Sequence, residues 1–225
     1  LAADIDAGAV GSDIDELMVY DNRLWFSTYD VNGYELWASD GTTGGSALFK
    51  NLNPGGASSY PENFVTAGGR LYFVANTAGT GEELWATDGT TLNTVPLEGV
   101  AGASGINPGF LTSVAGTLYF SGYNAALGYN SLWRYTGSGS PQLVPGQTFR
   151  DPGGLIEADG NLVFSARLGS ATGDREVFKF SGGAFTQLTS IASTGTNPQE
   201  LTYFNGKVIF AAQDAPAGST IEVGR

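Results

Sequence analysis

The sequence predicts an all-β chain folded as a five-bladed β-propeller, and three observations carry that expectation. The segments "RLWF", "RLYF", "TLYF", "NLVF" and "KVIF" end at Phe26, Phe73, Phe120, Phe164 and Phe210, at intervals of 47, 47, 44 and 46 residues. A period of that length marks a repeated supersecondary unit. The stretches "YELWASDGTTGG" from Tyr34 and "EELWATDGTTLN" from Glu82 put Trp37 and Trp85 at the same point of the repeat, with eroded copies around Trp133 and Phe178. Composition agrees: 34 Gly, many Ser and Thr and evenly spaced aromatics favour short strands and tight turns, and no stretch has the apolar period of a long helix.

Each unit reads as four antiparallel strands. The inner strand carries an apolar residue nine positions before the Phe, at Leu17, Phe64, Leu111, Leu155 and Leu201. Twelve before it stands Pro61, Pro108, Pro152 or Pro198, with Ile14 in the first repeat. Proline has no ladder donor and so marks the strand's entry. The turns "DNR", "GGR", "AGT", "DGN" and "NGK" suit two-residue hairpins with positive φ and lead into the "LYF" strand. The "ELW" strand is third, and a fourth such as "SALFKNL" follows the "SDGT" turn. Trp37, Trp85, Trp133 and Phe178 are expected to fill the space between blades. Asp40 and Asp88 are expected to bond nearby amides of their turns. Four-stranded units of this length repeated about an axis are propeller blades, whereas a solenoid or an immunoglobulin-type sandwich does not predict the period.

The ends extend the pattern. Counting back 47 residues from Leu48 reaches Leu1, so residues 1 to about 6 read as a fourth strand without a blade, while "STIEVGR" supplies an "ELW"-like third strand at the other end. The expectation is one domain over 1–225, with the N-terminal strand closing blade five.

Charge and composition remove several function classes. Lys and Arg total 10 against 22 Asp and Glu, a net charge of −12, with no basic stripe to neutralise phosphates; nucleic acid and anionic membrane surfaces are poor partners. The absence of Cys and His removes disulfides, thiolate and imidazole metal sites, and triads that need either residue. No apolar run approaches 18 residues, so membrane insertion is not expected.

The segments "ELWASDGT" at Glu35–Thr42 and "ELWATDGT" at Glu83–Thr90, preceded by "LYF" and followed in the first case by "NLNPGGASSYP", resemble the ELWxxDGT repeat of bacterial secreted and surface proteins. The motif match covers residues 1 to about 100, and the rest matches in spacing alone. The resemblance implies a propeller and an extracellular or bacterial cell-surface setting, and it implies no activity. Period and blade number are also similar to those of tachylectin-type lectins, which bind amino sugars, without a shared motif.

Variable loops on a rigid scaffold are where binding usually resides. From the "LYF" Phe to the "ELW" aromatic the distance grows through 11, 12, 13 and 14 residues, and the interblade connections differ as well. The ligand-binding candidates on that face are Asp30, Tyr60, Asn107, Tyr123, Tyr129, Asp151 and Asn197, rings and polar groups that suit a small ligand. Asn107, Asp151 and Asn197 also read as turn starters before Pro. Asp4, Asp6, Asp13 and Asp15 in "DIDAGAVGSDIDE" resemble oxygen ligands for Ca²⁺, but the spacing is not that of an EF-hand loop, and Asp4 and Asp6 align with Asn51 and Asn53. A glycosidase of the arabinanase or levansucrase kind would need paired inner-strand carboxylates. Glu16 and Glu200 lie ten before their Phe and Glu157 seven before, so strand alternation assigns Glu157 to the other face.

These readings converge on a non-catalytic extracellular recognition or adhesion module with no obligatory cofactor, and surface glycan as the expected ligand, through lectin-like binding. The alternative is a structural repeat protein of a cell-surface layer, and a carboxylate glycosidase is less favoured.

Overall fold

The computed structural model describes residues 5, 13–97, 105–169, 174–190, 197–214 and 218–224, with side chains as far as Ala212. The segment expected to close the last blade, residues 1–6, lies outside these apart from Ile5, as do Asp4 and Asp6. Among the described residues every regular element is a strand, and no helix is long and apolar enough to cross a membrane.

The chain divides into two compact units, 1–108 and 109–225. The first carries two four-stranded sheets: β1 (Ile14–Tyr20), β2 (Arg23–Asp30), β3 (Gly33–Ser39) and β4 (Ser46–Lys50), then β5 (Glu62–Ala67), β6 (Arg70–Thr77), β7 (Gly81–Thr87) and β8 (Val95–Pro96). The second carries three. They are β9 (Gly109–Val114), β10 (Thr117–Asn124), β11 (Tyr129–Tyr135) and β12 (Gln142–Leu143); β13 (Phe149–Ala158), β14 (Asn161–Leu168), β15 (Arg175–Ser181) and β16 (Ala184–Gln187); and a three-stranded sheet of β17 (Gln199–Phe204), β18 (Lys207–Asp214) and β19 (Gly218–Gly224). Strands pair in chain order and antiparallel throughout.

Turn chemistry explains the first hairpin of every sheet. Asp21–Asn22, Gly68–Gly69, Ala115–Gly116, Asp159–Gly160 and Asn205–Gly206 all have positive φ at both positions, which matches the strand twist of a two-residue loop. The second hairpin lengthens along the chain, through residues 31–32, 78–80, 125–128 and 169–174. In the Asp-Gly turns Asp40 Oδ1 accepts the N–H and hydroxyl of Thr42, and Asp88 Oδ1 those of Thr90.

In the first four repeats the Phe stands directly opposite the "ELW" aromatic: Phe26–Trp37, Phe73–Trp85, Phe120–Trp133 and Phe164–Phe178 are cross-strand partners. The last three pairs stack at 6.2, 6.5 and 5.8 Å between ring centroids. The apolar inner-strand residue of a repeat packs on the sheet before it. Phe64 joins Trp25 and Leu36, Leu155 joins Leu132, and Leu201 joins Val163 and Val177. Leu17 differs: it is 62% exposed, where Phe64, Leu111, Leu155 and Leu201 are 8% exposed or less.

The buried glutamate of the "ELW" strand ties down the chain leaving the sheet. Glu35 accepts the Leu52 N–H at 2.6 Å and the Ser59 hydroxyl at 2.7 Å, and Glu176 accepts the Thr189 hydroxyl. In the third repeat Ser131 replaces this glutamate, and Gln147 does the work from the other side, accepting the Leu132 N–H and donating to Leu132 O and Val144 O.

Three expectations are corrected. Residues Glu16, Asn63, Phe110, Gly154 and Glu200, all ten before their Phe, have φ of 52–58°, and each inner strand shifts register beside them. A bulge adds one residue to a strand, so the alternation that separated Glu157 from Glu16 and Glu200 does not hold across it. Strand β13 begins at Phe149, ahead of Pro152, so in that repeat the proline sits at a register break rather than at the entry. In the last sheet Phe210 stands opposite Glu222, where an "ELW" register would put Glu222 opposite Ala212. With no aromatic in "STIEVGR" to pair with Phe210, side-chain pairing does not impose the other alignment.

Candidate functional site

Among the described residues each unit contains a recess built from the same repeat positions: residues around the inner-strand entry, the residue after the repeat's Phe, and the first part of the third strand.

In the second unit a recess of about 520 Å³ is lined by Asp151, Asn197, Ser121, Phe110, Arg167 and Arg175. Arg175 enters from the start of β15. Its Nη2 donates to Asp151 O at 2.8 Å and Ser165 O at 3.0 Å, and its Nε donates to Ser165 Oγ at 3.3 Å. Its Nη1 has no hydrogen-bond partner among the described residues. Burial presses the Arg175 guanidinium below its ordinary value, helped by the charge of Arg167 and opposed by Asp151. The Asp151 carboxylate lies 3.5 Å from Arg150 Nε and 4.0 Å from Arg167 Nε, and accepts the Asn130 N–H. Arg150 covers the Tyr129 ring at 4.3 Å, a cation–π contact. Ser121, 4% exposed, has no side-chain partner among the described residues.

In the first unit a recess of about 530 Å³ is lined by Asp13, Asp15, Ser27, Tyr34, Tyr60 and Glu62. Tyr34 stacks on Tyr60 at 5.3 Å, meets Tyr29 edge-on at 5.3 Å, and donates its hydroxyl to Asp13 at 3.2 Å. Burial and the Asp13 hydrogen bond raise the Tyr34 phenol above its usual value.

The predicted site residues divide between these places. Tyr60 lines the tyrosine recess; Asp151 and Asn197 line the arginine recess, with Tyr129 beside it under Arg150. Asp30 accepts the N–H and amide of Asn32 and holds the β2–β3 turn. Asn107 is exposed and gives its N–H to Glu82 O, and Tyr123 is on β10; neither lines a recess. Tyr60, Asn107 and Asp151 all precede proline with a left-handed backbone, at φ of 44–51°, and Asp151 lies within β13 rather than in a turn. Of the calcium candidates described, Asp13 accepts the Tyr34 hydroxyl and Asp15 the Glu16 N–H. Among the described residues no group of three or more His, Cys, Asp or Glu could hold a metal ion.

Sequence reasoning missed Arg150, Arg167, Arg175, Tyr34 and the serines. One signal was present: three before each "ELW" aromatic stand Tyr34, Glu82, Asn130 and Arg175, a repeat position whose chemistry changes every time.

No protein-family model matches the chain, and no curated protein matches it. Its fold is similar to solved β-propellers. A puromycin-hydrolyzing peptidase of Mycobacterium tuberculosis aligns over 97% of this chain and 37% of its own, at 12% identity and a TM-score of 0.65. The β-propeller domain of the Trilobed protease from Pyrococcus furiosus aligns over 94% and 66%, at 9% identity and 0.59. The acylaminoacyl peptidase of Pyrococcus horikoshii aligns over 94% and 37%, at 8% identity and 0.56. The chain thus spans little more than a third of the two whole peptidases. These matches point away from the expected glycan-binding adhesion module, and the recess holding Asp151 and Asn197 is walled by guanidinium groups. At these identities the likeness establishes the fold alone, an all-β chain of antiparallel sheets of the β-propeller kind.

Proposed function

We propose that the chain is a ligand-binding propeller domain, without bond-making chemistry of its own, that holds the carboxylate of a short peptide in the arginine recess. The observation that carries this is that Arg167 and Arg175 line one recess, with Arg150 3.5 Å from the Asp151 carboxylate beside them, in a chain with only 10 basic residues and a net charge of −12. Arginine presents a planar fork suited to carboxylate, and the Nη1 edge of Arg175 and the Ser121 hydroxyl supply donors, with the charge of Arg167 beside them. The peptidase neighbours motivate peptide as the carrier of that carboxylate. Calorimetric titration with N-acetyl-Gly-Gly-Phe and with its C-terminal amide tests the reading. The acid binds, the amide binds at least about tenfold more weakly, and Arg175→Gln abolishes the difference. Equal binding of acid and amide, or no binding of either, overturns it.

We also infer that the five sheets are five blades and that residues 1–6 complete the three-stranded one, as the sequence register suggests. Closure of such a ring would cover Leu17, whose four repeat equivalents are buried. Leu17→Ala then costs about 2–5 kcal/mol, as for a buried leucine. A change within about 0.5 kcal/mol, normal for an exposed side chain, excludes closure.

A further inference from the structure

The tyrosine recess of the first unit has a chemistry opposite to that of the arginine recess, and it stands independently of the carboxylate reading. Its carboxylates, Asp13, Asp15 and Glu62, have no ion-pair partner among the described residues. Glu62 feels this directly: burial first, and then the charges of Glu82, Glu16 and Asp15, raise its carboxyl above the usual range. The Ser27 hydroxyl lines the same space. Ser27 is 3% exposed, and its side chain has no hydrogen-bond partner among the described residues. An unpartnered hydroxyl at a cavity wall can serve a ligand there as donor or acceptor.

The aromatic wall is fixed from two sides. Tyr34 is held by Tyr29, by Asp13 and by the stacked Tyr60. Tyr60 is 58% exposed and has φ of 48°, a conformation uncommon for a bulky residue and of the kind that collects at ligand clamps. Negative charge beside an exposed tyrosine face suits an organic cation. A metal ion fits less well, because no group of three suitable ligands exists among the described residues. A primary ammonium has three donors and no acceptor, which matches carboxylates and the Ser27 oxygen. A recess of about 530 Å³ also admits the alkyl stem that would lie along the tyrosine.

We propose that this recess binds a primary alkylammonium group, as carried by a diamine or a lysine side chain, with its stem along the Tyr60 face and its charge drawn by the Asp13, Asp15 and Glu62 carboxylates that line the recess. Calorimetric titration with 1,4-diaminobutane tests it, with thermal melts of every variant. Wild type binds saturably. Glu62→Gln and Tyr60→Asn each weaken binding by about tenfold while the melting temperature holds or rises, since one removes repulsion and the other relieves a left-handed backbone. Arg175→Gln leaves diamine binding unchanged, which separates this site from the carboxylate site. No saturable binding at millimolar diamine, binding unaffected by both Glu62→Gln and Tyr60→Asn, or a wild type that takes Ca²⁺ but not diamine overturns the proposal.

Discussion

Arg175 and Gly153 are fitted to one another: a Cβ on residue 153 would stand 3.0 Å from Arg175 Nη2 and 3.4 Å from the Phe110 ring. The missing side chain lets the guanidinium lie across the inner strand and reach Asp151 O and Ser165 O.

Gly153→Ala should therefore displace the guanidinium rather than unfold the sheet. The expected outcome is a loss of about tenfold in affinity for N-acetyl-Gly-Gly-Phe, comparable to one weakened charge-assisted bond, with a melting shift of a few degrees at most. Unaltered affinity would remove Arg175 from the ligand's contacts.

Leu155 is 7% exposed and packs beside Leu132 and Phe149. Leu155→Ala should cost about 2–5 kcal/mol in denaturant unfolding, the range for a leucine-sized cavity. A loss under about 1 kcal/mol would mean that the sheets do not pack through this position.

Gln147 satisfies three backbone groups at once in the repeat that lacks the buried glutamate. Gln147→Ala should cost about 1–3 kcal/mol through the groups it strands. Gln147→Glu should be worse at pH 7, since a carboxylate would face Leu132 O and Val144 O, and should recover as the pH falls and the side chain is protonated. Urea midpoints at two pH values check both.

Burial raises the Glu35 carboxyl above its usual 4.5, although hydrogen bonds from Ser59 and the Leu52 N–H pull it back. A carboxyl with a raised folded value contributes most stability below its unfolded value and loses that contribution as the pH climbs through the folded one. Glu35→Gln should consequently gain on the wild type as the pH rises from about 4 to 7. Parallel stability curves would show that the charged form is fully compensated.

Much of the fold was legible because local chemistry dictates it. Positive-φ turn residues announced the first hairpins, and the 47-residue recurrence of Phe26 and Phe73 announced the repeated antiparallel unit, whereas the pairing of Phe26 with Trp37 and of Phe73 with Trp85 appears only in the structure. The bulge beside Glu16, Asn63, Phe110, Gly154 and Glu200 was not legible, because five unrelated side chains share one backbone conformation there. The candidate site was legible in part. Tyr60, Asp151 and Asn197 precede or flank a proline and could be picked out, whereas Arg150, Arg167 and Arg175 are scattered over three strand ends with no common motif.

The sequence by itself determined the period, the strand order and the residues that must be buried, since hydrophobic spacing and turn propensity act over a few neighbours. Only the tertiary structure decided which charges share a recess. That depends on side chains from different strands converging through bulged entries, and on the space a single Gly153 leaves for Arg175.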